Sequence, residues 1–369
     1  MRTLRDIRAL ENVPVLVRIP QVNNEVRLQS ALPTIDYLRK NHARVILATH
    51  ISGKGTESAE PMYHMIKEKI RGLKFSPVAI GPGARAAVRD LLPGEVLMLE
   101  NLRRNVGEEK NDPEFARELA SLADVFVQDS FDTCHRKHAS IIGVPELLPS
   151  YAGLSLESEV KELSKALKPK RPSLAIVSGT KFSTKEPLLR SLLRSYDQVF
   201  VGGALANDFI KAKGYSVGTS LVFDEGQESI KKLLAEKRLL TPIDAVVAPL
   251  HGKRSEGRVT SLEDIGSNEA VLDAGPKTSA LLETYVKKAK TVLWNGPLGY
   301  FEGGFTDATY ALARSIASAK TYSVIGGGDT IAAIEDLKIS DRFSFVSTGG
   351  GAMLDYLADG TLPGLEALR

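Results

Sequence analysis

The chain has 369 residues, a hydrophobic fraction of 43%, a charged fraction of 25% and a formal net charge of +3. That length exceeds one ordinary core and suits two domains, and the mild positive charge lacks the clustering a nucleic-acid binder needs. The single cysteine, Cys134, excludes an internal disulfide and fits a reducing cytoplasm, the charged N-terminal segment is no secretory signal, and the apolar runs are far too short to span a bilayer.

Short apolar runs recur along the chain. The first half carries them at 13–19, 43–50, 77–81, 95–101 and 124–129, the second at 173–179, 198–203, 244–250, 291–296, 322–328 and 343–351. They are continuous rather than alternating, which predicts strands buried on both faces and hence parallel sheets. Helical patterns fall between many of them, at 27–40, 112–122, 184–194, 226–237, 277–289 and 306–319. Strand and helix in alternation predict an α/β fold of stacked βαβ units. The segment 154–168 has Leu154, Leu156, Val160, Leu163 and Leu167 at helical spacing and ends in the basic KPKRP. It predicts an interdomain helix.

In open parallel sheets, ligands bind at the carboxyl ends of strands, and the unusual polar residues stand there. The first half offers Arg18, His50, Glu100, Asn101, Arg103 and Asp129, with His135, Arg136 and His138 just beyond. This set suits an anionic substrate. CHRKH (134–138) lacks the further ligands a zinc site needs. The second half offers glycine clusters between strand and helix: Gly202-Gly203, Gly326-Gly327-Gly328 and Gly349-Gly350-Gly351. Glycine lets backbone approach a ligand, and a helix start presents free N–H groups, so these clusters suit phosphates; tight turns also need glycine. Neither a GxxxxGK[ST] loop nor a GxGxxG fingerprint occurs at the strand ends. Asp329-Thr330 after the second cluster admits two readings, a Mg²⁺ contact among phosphates or a helix cap. Lys181 and Lys185, in SGTKFSTKEP, are either solvated or functional.

These residues, in their order, resemble the phosphoglycerate kinase family from about residue 13 onward. The segments are RLQSALPTI (27–35), ATH (48–50), LENLR (99–103), GEEKNDPEFA (107–116), DSFDTCHRKHAS (129–140), KFSTK (181–185), GPKT (275–278), LWNGPLGYFE (293–302), IGGGDT (325–330), STGGGA (347–352) and LPGLEAL (362–368). The resemblance implies two Rossmann-like domains joined by an interdomain helix and a hinge that closes them. The expected boundaries are 1–153 for the acid-binding domain with 354–369 packing back onto it, 154–169 for the helix and 170–353 for the nucleotide domain. It implies reversible phosphoryl transfer between MgATP and the carboxylate of 3-phosphoglycerate, a glycolytic reaction, by a cytoplasmic monomer with no nucleic-acid or membrane partner. By resemblance, Arg27, Lys181, Gly327 and Gly350 are catalytic. Arg18, Arg27, His50, Arg103 and Arg136 bind the acid. Lys185, Gly202, Gly203, Asn295, Pro297, Glu302, Gly327, Gly328, Asp329 and Thr330 bind the nucleotide, with Asp329 as the Mg²⁺ contact.

The first strand departs from the family. Pro20 and Val22 stand where the family places an Asp and an Asn, and Gly53 stands where it places a substrate-binding Arg, with Lys54 beside it. Asp132 replaces a usual Gly, Arg104 a usual Phe, and Ser178 and Ala204 usual glycines. Three readings follow: a kinase with a remodelled glycerate pocket in which Asn23, Asn24 or Lys54 compensates, a nucleotide-binding paralogue with weak or no kinase activity, or a kinase for another small carboxylate.

Overall fold

The continuous apolar runs become parallel strands in a computed structural model that describes residues 1–53, 55–223 and 225–368. The chain divides into two units, the first Met1–Lys161 with the segment from Thr361 onward, the second Glu162–Gly360. The helix Leu154–Leu167 crosses that division in the chain.

The first unit holds β1 (Pro14–Arg18), β2 (Arg44–Ala48), β3 (Lys74–Phe75), β4 (Val96–Met98), β5 (Val125–Gln128) and β6 (Ser150–Ala152), in the order β3-β4-β2-β1-β5-β6. Every pairing is parallel. From β1 the chain moves to β2, whereas from β5 it moves to β6 on the opposite side, so the connections diverge between β1 and β5. Such a divergence opens a crevice at the carboxyl ends of the two strands. β1 is buried along its whole length, as its apolar run Pro14–Val17 requires, and Arg18 at its end is buried with it. The helix Glu25–Lys40 packs Leu28, Ala31, Ile35 and Leu38 into the core at spacings of three and four. It starts where the Asn24 side chain accepts from Arg27 N.

The second unit holds β7 (Ser173–Ser178), β8 (Gln198–Gly202), β9 (Leu239–Leu240), β10 (Asp244–Ala248), β11 (Arg258–Ser261), β12 (Ala270–Ala274), β13 (Thr291–Asn295), β14 (Tyr322–Gly326) and β15 (Phe345–Ser347). Its main sheet is parallel, in the order β15-β14-β13-β7-β8-β9. Here the divergence lies between β7 and β13. Trp294, Leu174, Ile176 and Phe200 form part of the core beneath it.

Two expected parallel strands are corrected. The run 244–250 gives β10, which pairs antiparallel with both β11 and β12 in a separate three-stranded sheet. Burial by neighbours on both faces produces the same apolar run whichever way those neighbours run. The run 77–81 forms no strand: Val78 is exposed, and a helix starts at Gly81.

Candidate functional site

In the first unit the site grows from the end of β1. Arg18 is only 1% exposed. Its Nε donates to Ser140 Oγ at 3.0 Å, its Nη1 to Ile19 O, and its Nη2 meets His50 Nδ1 at 2.8 Å. Guanidinium can only donate, so His50 Nδ1 is the acceptor and the neutral ring carries its proton on Nε2. Burial, followed by the charges of Arg18, Arg103 and Arg136, holds the His50 pKa far below the usual histidine range. His50 therefore offers a neutral, oriented N–H donor.

A buried guanidinium needs a counter-charge. Glu108 is fully buried, and its carboxylate accepts from Ser140 N at 2.9 Å and Ser140 Oγ at 2.5 Å. Arg18, Ser140 and Glu108 thus form one connected network. Burial pushes the Glu108 carboxyl up, against the pull of Arg18.

Arg103 and Arg136 complete the basic cluster; each adds its charge at His50, and Arg136 also lowers the Arg103 pKa after burial has done so. Arg103 Nε lies 3.1 Å from Glu109 Oε1 in an ion pair, while its Nη2, like Arg136 Nε, is buried without a hydrogen-bond partner. Buried unsatisfied donors cost folding free energy, and an oxyanion would satisfy them. Arg27, in the first turn of its helix, donates through Nη1 to Gln21 O at 3.2 Å and to Asp132 Oδ2 at 3.1 Å.

The altered positions play other parts. Pro20 is buried and its carbonyl accepts from Thr49 Oγ1. Val22, 2% exposed, packs in the core. Gln21 ties the loop after β1 to the loop after β2, because its Oε1 accepts from Ser52 N and Oγ at 2.9 and 2.7 Å. Asn24 Oδ1 is engaged as a helix cap, while Asn23 is exposed. Gly53 has φ +121, and a Cβ there would meet Glu57 Oε1 at 2.5 Å. Lys54 lies outside the described residues. Three strand-end polar residues bond internally: Glu100 accepts from Ala59 N and Asn101 N, Asn101 Oδ1 accepts from Ile51 N and Arg103 N, and Asp129 accepts from Ser155 N and Leu156 N.

The neutral state of His50 has a measurable consequence. The folded protein resists protonating it, whereas the unfolded chain takes up that proton below about pH 6.5. The stability advantage of the unmodified chain over His50→Gln is therefore fully present above that pH and shrinks as pH falls. The expected slope is about 1.4 kcal/mol per pH unit, read from urea unfolding of both proteins between pH 5 and 8. A difference that grows on acidification would mean that His50 is charged when folded.

In the second unit, a cavity of about 660 Å³ is walled by Leu221, Val222, Leu272 and Leu298, with Gly179, Gly203, Pro297, Glu302 and Asp329 also lining it. Its size and apolar walls suit a small organic ligand. Gly203 has φ +62, and a Cβ on it would come within 3.2 Å of Pro297 O and 3.3 Å of Gly179 N. The loops after β7, β8 and β13 can meet there because Gly203 carries no side chain. Gly202, buried one residue earlier, leaves no room for a Cβ beside Ser178 Oγ.

The WNGP segment is tied to the next glycine cluster. Gly296 N donates to Thr330 Oγ1 at 2.8 Å, and Trp294 Nε1 donates to Gly296 O at 2.8 Å. A Cβ on Gly327 (φ +99) would approach Asn295 Nδ2 to 3.1 Å. The helix Gly328–Asp336 begins directly after Gly327, and Gly351–Asp359 after Gly350, with no side-chain cap on either. No side chain therefore claims the N–H groups at either helix start, and apart from Ala352 N, which donates to Gly349 O at 3.0 Å, they can face an anion. The capping alternative for Asp329-Thr330 is not what forms, since Gly327 takes the cap position and Thr330 serves Gly296. Burial, then Glu302, pushes the Asp329 carboxyl up, and Asp329 has no ion pair among the described residues.

Lys181 is exposed, with Nζ 5.3 Å from the Phe223 ring centroid. Lys185 is partly buried; burial lowers its pKa and Asp355 partly offsets this. Lys181, Lys185, Asn295, Gly327, Gly328, Thr330 and Gly350 are not among the residues lining the 660 Å³ cavity. Sequence reasoning passed over Ser140 and Glu108, the supports of Arg18, and the apolar wall of Leu221, Val222 and Leu272. Nothing distinguishes that wall from ordinary core in the sequence.

A family model described as phosphoglycerate kinase matches residues 7–360. The chain is 41% identical to the phosphoglycerate kinase of Moorella thermoacetica, over 99% of this chain and 98% of that protein. It is 41% identical to that of Xanthobacter flavus, over 100% and 99%. Among solved structures it is similar to phosphoglycerate kinase from Coxiella burnetii, with TM-score 0.85 and 35% identity over 99% of this chain and 98% of that one. The match to phosphoglycerate kinase from Pyrococcus horikoshii OT3 has TM-score 0.89 and 28% identity over 100% and 98%. Among the described residues no helix is long and apolar enough to cross a membrane.

Proposed function

The chain belongs to the phosphoglycerate kinase family, phosphotransferases with a carboxyl group as acceptor, and we propose that its first unit holds 3-phosphoglycerate and its second MgATP for reversible phosphoryl transfer. The observation that carries this assignment is a division of chemistry. Partnerless guanidinium donors cluster in the first unit, while the second combines an apolar cavity with open helix starts. Identity of 41% along the whole chain favours the kinase over a nucleotide-binding paralogue.

Arg103, Arg136 and neutral His50 bind the phosphate and carboxylate of the acid, and Arg27 neutralises charge at the acceptor carboxylate. Arg18 is buried and engaged through all three nitrogens, and so orients His50 instead of contacting the acid. The acid needs no general base, because its attacking oxygen is already ionised. In the second unit, the base and sugar occupy the apolar cavity beside Gly203 and Pro297, with Glu302 at the ribose and Asn295 nearby. Gly327, Gly328, Thr330 and Lys185 receive phosphates, and Lys181 and Gly350 serve the transferring group. Phosphoryl transfer asks mainly for positioning and charge neutralisation, which this set provides.

Family enzymes use MgATP, and Asp329 fits the metal on chemical grounds. It is an oxygen donor without an ion pair among the described residues, already burdened by Glu302. Among the described residues there is no group of three or more His, Cys, Asp or Glu that could hold an ion. One carboxylate together with nucleotide phosphates and water is the usual mode for Mg²⁺. The bound ion supplies charge neutralisation at the phosphates. A cytoplasmic monomer fits the reading.

A coupled assay with 3-phosphoglycerate and MgATP tests the function. Turnover is expected, and no turnover at saturating acid would remove the reading. Calorimetry on the full chain checks the metal assignment: Asp329→Ala is expected to weaken MgADP binding by roughly 10-fold, the equivalent of about 1.4 kcal/mol, while changing metal-free ADP binding little. Equal losses with and without Mg²⁺ would take Asp329 out of the metal site.

A further inference from the structure

The acid-binding cluster contains a carboxylate that the reading above leaves without a task. Asp132 lies in the one-turn segment Phe131–Thr133 after β5, with its side chain 12% exposed. Its Oδ1 accepts from Ser130 Oγ at 2.6 Å, and Ser130 Oγ also accepts from Thr133 Oγ1 at 3.0 Å. Its Oδ2 accepts from Arg27 Nη1 at 3.1 Å. A negative charge in a pocket for a phosphorylated acid works against ligand affinity, so its placement calls for a reason.

The geometry at Arg27 supplies one. Both hydrogen bonds its guanidinium makes among the described residues, to Gln21 O and to Asp132, use Nη1. The edge formed by Nε and Nη2 is left open, and the side chain is 26% exposed. That edge is one of the forks by which arginine grips an oxyanion with two parallel bonds. An unrestrained arginine samples many rotamers. Here the side chain is held on one side by a fixed carboxylate and a backbone carbonyl.

We propose that Asp132 is a positioning residue: it grips Nη1 of Arg27 so that the Nε/Nη2 edge stands ready for the acceptor carboxylate, and it does so at the expense of acid affinity. This rests on the assignment of 3-phosphoglycerate to the first unit. Two properties of Asp132 are separable. Its oxygen orients Arg27, and its charge opposes the anion. Asparagine keeps an accepting oxygen and removes the charge, whereas alanine removes both.

The test is steady-state kinetics of the full chain with 3-phosphoglycerate and MgATP, comparing the unmodified protein with Asp132→Asn and Asp132→Ala. For Asp132→Ala, kcat is expected to fall on the order of tenfold, up to about a hundredfold, as misplacement of a transfer group does, with the nucleotide KM unchanged. For Asp132→Asn, kcat is expected to stay within about twofold and the 3-phosphoglycerate KM to fall about two- to fivefold, the range for losing one screened ionic interaction. Equal kcat in the alanine variant and the unmodified protein overturns the proposal. So does an asparagine variant as slow as the alanine one, or one whose acid KM rises. If Asp132→Ala does not fold, the asparagine variant decides alone through its acid KM. If the unmodified protein turns over 3-phosphoglycerate, a failure of the variants counts against Asp132 only. If it does not, the functional reading falls and this inference with it.

Discussion

Lys181→Met is expected to lower kcat by about 10²–10³-fold, the loss typical of removing one preorganised donor from developing charge, while nucleotide affinity changes little. Lys181 sits in the loop after β7, beside the point where the connections of the second unit diverge. Its ammonium rests over the Phe223 ring and has no ion pair among the described residues. A cation that none of the described carboxylates claims is free to follow a phosphoryl group. Methionine keeps the aliphatic stem and loses only the charge, so folding should be preserved. Single-turnover rates and nucleotide titration of the same variant separate the alternatives: unchanged kcat with a raised nucleotide KM would make Lys181 a ground-state ligand.

The largest effect on stability is expected at Glu108, which touches no ligand in the reading above. Glu108→Leu removes the carboxylate that accepts from Ser140 N and Oγ and that is the first of the charges favouring ionised Arg18. Arg18 would remain buried without that compensation. Removing one member of such a buried network typically costs about 3–5 kcal/mol, visible as a large fall in the urea midpoint. Glu108→Gln keeps an acceptor for Ser140 and should lose less. If the leucine variant is as stable as the unmodified chain, Arg18 finds its counter-charge elsewhere.

Several positions change meaning once packing is known. Val22 stands where the family has a substrate-contacting amide, and an obvious repair is Val22→Asn. Val22, however, is enclosed in the core of the first unit, so an amide there would be buried among apolar side chains, an unfavourable exchange of about 1–3 kcal/mol if left unpaired. Pro20 has its carbonyl engaged by Thr49. The loop after β1 is instead fixed by Gln21, through Ser52 on one side and Arg27 on the other. Glu100 and Asp129 look like site residues from their strand-end positions, yet they hold the ends of neighbouring segments.

By itself the sequence determined the alternation of buried strands and amphipathic helices and the family, and it pointed to strand ends for the two half-sites proposed above. Those features depend on local patterns: unbroken Val, Ile and Leu runs, helical spacing, and glycine between strand and helix. It did not determine strand direction, because the apolar run of β10 reads like its parallel neighbours and burial on both faces has no direction. Nor did it determine partnerships. That Ser140 and Glu108 support Arg18, that Asp132 grips Arg27 across 105 positions, and that Leu221 and Leu272 wall one cavity are facts of tertiary structure. Hydrogen bonds and ion pairs act over a few ångströms in space, and only the folded chain brings residues so far apart in sequence within that reach.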